Sequence, residues 1–313
     1  MKKLAMAFAV GCFLFASAQD SEAHYDDILY FMWQWPEGLP IQDGNFSEWD
    51  VVPEEYWFTT DDVGTRIVQD DESAGSVTTG IDPSRLSFRY VPSANVVDDR
   101  FHWAYERFDD SWTVWSDLEP KIDADHSGGS FWVEEGMTDE EENRAKARGA
   151  QPYHLFFSDG TQQGPGDWAW LWMTPADWYE DPRFMSAAYE YTGEPINGQE
   201  YTLRAEFALP GFNDFKWDDP DYSFDNIHDI QEGDIVGMTV CIWDSYADCP
   251  PASEEGSECY SKWNLTDAGG NDGIDADLWV DFVVMELDHD ALSTAVEKDS
   301  WGAIKASVKS VEK

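Results

Sequence analysis

The chain reads as all-β: one antiparallel β-sandwich with long rim loops and one short helix. Three observations predict it. Runs rich in Trp, Tyr, Phe and Val recur between Asp, Gly, Pro and Asn punctuation, which is how strands and turns alternate. Several of these runs alternate apolar and polar residues, the period of a half-buried strand. Helical periodicity is almost missing, and successive β-runs without intervening helices close as a sandwich or barrel.

The elements follow in chain order. Met1-Lys2-Lys3 is a short basic start, Leu4 to Phe15 an apolar run, and Ala16-Ser17-Ala18 a small-residue cleavage site. That layout is a signal peptide over 1–18, so the mature chain starts at Gln19 and is secreted or periplasmic. The apolar run is shorter than the roughly 20 residues a spanning helix needs, and no transmembrane segment is expected elsewhere. Strands are expected at Ile28 to Trp35, Arg85 to Tyr90, Arg100 to Phe108, Trp112 to Ile122 and Tyr153 to Phe157. Further strands are expected at Trp168 to Met173, Tyr201 to Leu209, Asp234 to Trp243 and Ala276 to Leu287. Thr138 to Gly149 is the helix: Thr138 caps, Glu141 sits three residues on, Arg144, Lys146 and Arg148 come late, and Gly149 stops it. A single domain over 19–290 is expected, because no Ser/Gly linker divides it. After Asp290, Ala, Ser, Val and Lys replace Trp and Asp, marking 291–313 as a C-terminal tail.

Charge bounds the partners. Acids number 64 against 19 bases, a net charge of -45. Nucleic acid is excluded as a partner, because phosphate binding needs basic patches. Most of the acids read as a solvated, self-repelling surface, while a few in loops could hold calcium through their oxygens. Cys12 leaves with the signal peptide. Of the other three cysteines, Cys241 lies in a strand run. Cys249 and Cys259 flank an acidic, Ser-rich loop that a disulfide would close, with Cys241 to Cys249 as the alternative pairing.

Trp168-Ala169-Trp170-Leu171-Trp172-Met173 carries the strongest binding signal. Alternate side chains of a strand share a face, so three indoles lie on one side and Ala169, Leu171 and Met173 on the other. If the smaller side is core, the indoles form a platform for stacking on sugar rings. If the larger side is core, they pack inside and their N–H groups need partners. Trp178 and Tyr179 follow in a Pro/Asp loop as rim candidates, and Trp33, Trp35 and Trp217 are further aromatics to place. Asp123 and Asp125 end a strand in Asp-Ala-Asp-His-Ser-Gly-Gly. Two such carboxylates can share a calcium ion, or each can bond its own turn backbone. No nucleophile elbow, His-Glu-x-x-His or phosphate loop is present, so no enzyme activity is expected.

The order strand, Asp109-Asp110, strand, Asp123-Ala124-Asp125-His126-Ser127-Gly128-Gly129 resembles the family 9 carbohydrate-binding modules and the DOMON-like sandwiches related to them. Ile41-Gln42-Asp43-Gly44-Asn45-Phe46-Ser47-Glu48-Trp49 resembles their opening "Ile-x-Asp-Gly-x-x-x-Glu-Trp". Glu206-Phe207-Ala208-Leu209-Pro210 is similar to their "Glu-x-Ala-Ile-Pro" strand, and Gln231 to Gly237 to the "Gly-Asp-x-Ile-Gly" that opens a later one. Insertions at Val52 to Ser84 and Tyr246 to Asn271 depart from the pattern and lengthen rim loops. The resemblance covers Ile41 to about Leu287. It implies a jelly-roll-like sandwich of an exported bacterial protein that binds a polysaccharide or oligosaccharide on tryptophans, with calcium-stabilised loops. A second reading is a haem-binding redox sandwich like the small haem subunit of ethylbenzene dehydrogenase. Gly166-Asp167-Trp168-Ala169-Trp170 loosely resembles its "Asp-x-Trp-x-Trp" strand, and Met173, Met185 or His154 would be axial ligands. A third is a non-catalytic surface or assembly scaffold.

Overall fold

Strand β1 (Leu29–Gln34) joins two sheets. Its first four residues pair in parallel with the last strand, and Trp33 and Gln34 pair in parallel with Ser93 and Ala94. The structure, a computed structural model, describes residues 29–62, 65–68, 82–111, 116, 118–128, 136, 138, 148–155, 169–171, 181–193, 199–216, 219–245, 260–265 and 276–288. The remaining strands in chain order are β2 (Phe58–Thr59), β3 (Thr65–Val68), β4 (Leu86–Asn95), β5 (Arg100–Asp109), β6 (Leu118–Asp123) and β7 (Gln151–Leu155). Then come β8 (Ala169–Leu171), β9 (Ser186–Gly193), β10 (Tyr201–Pro210), β11 (Ile235–Ser245), β12 (Tyr260–Asn264) and β13 (Val280–Val284). The order β8-β7-β6-β11-β13-β1 makes the first sheet and β1-β4-β5-β10-β9 the second.

Alternation along the strands builds the layer between the sheets. Phe101, Trp103 and Tyr105 of β5 and Leu203, Phe207 and Leu209 of β10 join Leu118, Ile122, Tyr153, Val236, Met238 and Phe282 of the first sheet in one buried cluster. Each large apolar side chain so buried stabilises by about 1.5–3 kcal/mol. Polar bonds pin the sheets together at two places. Tyr153 Oη donates to the Pro210 carbonyl at 2.5 Å. Arg107, 1% exposed, donates to the Trp243 carbonyl at 2.7 Å and to Asp109 Oδ2 at 2.6 Å. Asp109 Oδ1 accepts from the Ser111 amide, so the first acid of the Asp-Asp turn is a buried cap.

A smaller core lies on the outer side of the second sheet. Trp33, Trp35, Phe46, Trp49 and Val52 pack there on Val91 and Ala104, beneath a 3-10 turn, Phe46–Val51. Trp35 meets Trp49 edge-on at 5.0 Å and donates Nε1 to Ser93 Oγ at 2.8 Å. Trp33 and Trp35 are therefore structural. Beside this cluster the register lines up Arg89, Glu106, Arg204 and Glu190 across four strands. Trp57 stacks under Arg89 and Phe46 under Arg204, which ties the covering segment to the sheet.

Two motifs of the sequence meet here. Glu206 Oε1 accepts from the Asp43 and Gly44 amides, and Oε2 from Trp49 Nε1 at 3.1 Å. Glu48 Oε1 accepts from the Ile41 amide at 3.0 Å. Gly44 has φ +83°, which the turn requires and a side chain would strain. Burial pushes the Glu48 carboxyl up to about 7; the Ile41 amide opposes the rise and the nearby Glu206 adds to it. The folded state thus holds a proton that the unfolded chain releases near 4.5. The stability from this group is full below pH 4.5 and is lost as pH rises through about 7. We expect wild type and Glu48→Gln to differ in pH slope over that window. The difference is on the order of 1–2 kcal/mol after allowing for solvent at the carboxylate, read by urea denaturation at pH 5 and pH 7.5. Burial of His102, whose pKa is lowered against the pull of Asp98, acts in the opposite direction and cancels in that difference.

The structure departs from the sequence expectation in several places. The two insertions are not loops throughout: β3 from one pairs with β12 from the other, extending the first sheet beyond β11. Strand β1 pairs in parallel, because its neighbours are distant in sequence and no hairpin dictates direction. Strand β9 was not anticipated, and β13 begins only at Val280, after a 3-10 turn, Ala276–Leu278. Of the helix expected over Thr138 to Gly149, residues 148–149 are helical and 139–147 lie outside the described residues. A further helix, Pro220–Phe224, is capped by Asp219 and has proline in its first turn.

Gly211 follows β10 and lies against Ala124, Phe101 and Ile122. A Cβ there would lie 2.4 Å from Ala124 Cβ and 2.8 Å from the Phe101 ring. Gly211→Ala is expected to cost about 2–3 kcal/mol through this overpacking, measured as a lowered denaturation midpoint with unchanged m-value.

Candidate functional site

The outer face of the first sheet carries the polar chemistry. Along β6, Leu118 and Ile122 enter the core while Glu119, Lys121 and Asp123 alternate to the other side. Register places Glu119 beside Cys241 of β11 and Lys121 beside Thr239. Lys121 Nζ lies 3.2 Å from Cys241 Sγ and 3.5 Å from Glu119 Oε2. Glu119 Oε1 lies 2.8 Å from His154 Nδ1 on β7. Glu119, Lys121 and Cys241 are 2%, 1% and 0% exposed; charge this deep persists only when paired.

β8 extends this face. Antiparallel register sets residues 171 and 169 opposite Tyr153 and Leu155, both core residues, and sets residue 170 opposite His154. Position 170 therefore falls on the strand side away from the core. Trp168, Trp172, Trp178, Tyr179 and Trp217 lie outside the described residues, as do Cys249 and Cys259 and the tail 291–313. Cys241 is a buried strand thiol.

The Asp-Ala-Asp-His-Ser-Gly-Gly loop leaves β6 at the edge of the same face. Asp123 is fully buried, accepting from the Ser127 amide at 3.2 Å and the Gly128 amide at 2.7 Å. Asp125 also accepts from the Ser127 amide. His126 takes φ +54° and places Nε2 2.9 Å from Asp281 Oδ1 of β13. Partial desolvation pushes the Asp125 carboxyl up, and contact with the Asp123 carboxylate adds to the rise. The two calcium candidates thus sit side by side, each already bonded to its own turn. Among the described residues, no three His, Cys, Asp or Glu side chains gather as a metal-ligand set. Of the haem-ligand candidates, Met185 packs in the main core and His154 is bonded to Glu119, while Met173 lies outside the described residues.

Sequence reading missed Glu119, Lys121 and their link to His154. The signal was present in Leu118-Glu119-Pro120-Lys121-Ile122-Asp123, whose strict period of two puts every charge on one side.

No protein-family model and no curated protein matches the chain. Two solved structures are similar to it, both of a carbohydrate-binding module of family 9 from Caldicellulosiruptor kristjanssonii. The one in complex with cellotriose is 13% identical, covers 84% of this chain and 97% of its own, with a TM-score of 0.42. The one in complex with glucose is 12% identical over the same shares, with a TM-score of 0.41. No helix among the described residues is long and apolar enough to cross a membrane.

Proposed function

We propose that this is an exported, non-catalytic carbohydrate-binding protein whose glycan stacks on tryptophans at and around β8, with Trp170 at the centre. The observation that carries the reading is the register that puts residues 169 and 171 opposite core residues and residue 170 opposite His154. The sequence alternation Trp168, Trp170, Trp172 is the reason for including Trp168 and Trp172, both outside the described residues, in the proposed platform. Trp178 and Tyr179 complete the platform from the loop that follows. Flat aromatic rings offer area at little entropic cost, and neighbouring polar groups fix the hydroxyls. With 64 acids to 19 bases, the chain suits neutral polyhydroxyl ligands better than anionic ones.

Calcium belongs to the proposal as a loop stabiliser held by Asp123 and Asp125, two adjoining carboxylates at a strand end. Calcium at millimolar concentration is expected to raise the thermal midpoint, and Asp125→Asn to abolish the rise. An unchanged midpoint across the titration removes calcium from the proposal.

The test of binding is retention of the full chain on insoluble polysaccharides. It is paired with titration by cellotriose and glucose, following tryptophan fluorescence with and without calcium. Saturable quenching or retention supports the reading. A folded protein that shows neither on any glycan overturns it.

A further inference from the structure

The strongest chemistry outside the proposed glycan platform is the row Cys241, Lys121, Glu119, His154. We infer that Cys241 and Lys121 are a redox-modification site, joined by a covalent Sγ–Nζ bond when the protein meets peroxide.

The geometry supplies each part of the reaction. Nζ lies 3.2 Å from Sγ, inside the contact distance from which two reacting atoms close. Both groups are at most 1% exposed, so large thiols and alkylating reagents are kept away while a small neutral oxidant can diffuse in. An ammonium that donates to sulfur steadies charge there, and the thiolate is the form peroxide oxidises. The first step passes one peroxide oxygen to sulfur, giving a sulfenic acid and water. In the second step the Nζ lone pair attacks Sγ, the S–O bond breaks, and hydroxide leaves with a proton from nitrogen as water. Thiol, amine and hydrogen peroxide thus give one S–N bond and two waters. Sulfur loses two electrons and peroxide gains them.

The amine must shed its ammonium proton before it attacks. Glu119 Oε2, 3.5 Å away, is placed to take that proton. Its other oxygen faces His154 Nδ1 at 2.8 Å. The His154 side chain is 11% exposed against 3% for Glu119, so it is the end of the row that reaches solvent. A sulfenic acid enclosed in this way has the lysine amine at contact distance, and the cross-link protects sulfur from the irreversible higher oxides.

The test uses the full wild-type chain, treated with hydrogen peroxide, unfolded, digested with trypsin and mapped by mass spectrometry. The expected result is loss of cleavage after Lys121 and a linked peptide pair containing residues 121 and 241. The pair should be lighter than the sum of its parts by two hydrogens, and thiol reductant should release it. Cys241 recovered as thiol, sulfinic or sulfonic acid, with cleavage after Lys121 intact, would overturn the inference. Lys121→Met, which keeps an apolar side chain of similar length, should carry Cys241 on to sulfinic acid under the same treatment. A linked residue-241 peptide in that variant would equally sink the assignment.

Discussion

Glu206→Ala is expected to cost about 2–4 kcal/mol of folding stability. One carboxylate serves the Asp43 and Gly44 amides and Trp49 Nε1. Removing it leaves the buried indole N–H without its acceptor, at about 1–3 kcal/mol. The turn amides are part-buried, so water recovers some of what they lose. The Trp35–Trp49 contact and the rest of the small outer core depend on this turn being docked. Glu206→Ala and Trp49→Phe should therefore be non-additive in a double-mutant cycle, because each removes the same bond. Denaturation of the two single variants and the double variant measures this. Fully additive losses, or a loss below about 0.5 kcal/mol for Glu206→Ala, which is the scatter of an ordinary surface change, would show that the turn docks by apolar packing alone.

This contact also explains what the sequence pattern near residues 41–49 was reporting. Asp43-Gly44 and Glu48-Trp49 resemble a family's opening motif when read alone, and in three dimensions they are joinery. Glu206, 162 residues beyond Gly44, completes them. The same holds for Asp109, whose pairing with Arg107 turns a surface-looking Asp-Asp turn into a buried cap. The strands were legible because alternation and aromatic content are local properties. Their partners were not: nothing local in Leu29–Gln34 states that it pairs in parallel with two strands far along the chain. Nor does either insertion, alone, disclose that β3 will find β12. Strand β9 was overlooked because Ser186-Ala187-Ala188 dilutes the β-branched and aromatic signal that Tyr189 and Tyr191 supply. The Trp run and the acidic loop could be found by eye in the sequence. The buried Glu119–Lys121–His154 link could not, because charged residues in an acidic chain default to solvent until a partner strand is known.

Trp170→Ala is expected to abolish glycan retention while leaving the fold in place. A truncated aromatic anchor at the centre of a site costs at least about 2 kcal/mol, which corresponds to a fall in affinity of roughly thirtyfold or more. The register sets position 170 on the side away from the core between the sheets, and the platform reading requires little cost to stability there. Positions 169 and 171 are the ones opposite Leu155 and Tyr153 of the core, and position 170 is opposite His154. Leu171→Ala, at a register position opposite the core residue Tyr153, should therefore do the reverse, losing about 2–4 kcal/mol of stability if truncated with glycan affinity retained in the molecules that remain folded. The pair separates a platform from a core strand without a structure of the complex. Denaturation midpoints and titration by fluorescence on both variants decide it. If Trp170→Ala destabilises as much as Leu171→Ala and binding is untouched, the indole is packing and the sugar site lies elsewhere. If Trp170→Ala alone loses binding at an unchanged midpoint, the outer face of β8 is where the glycan stacks.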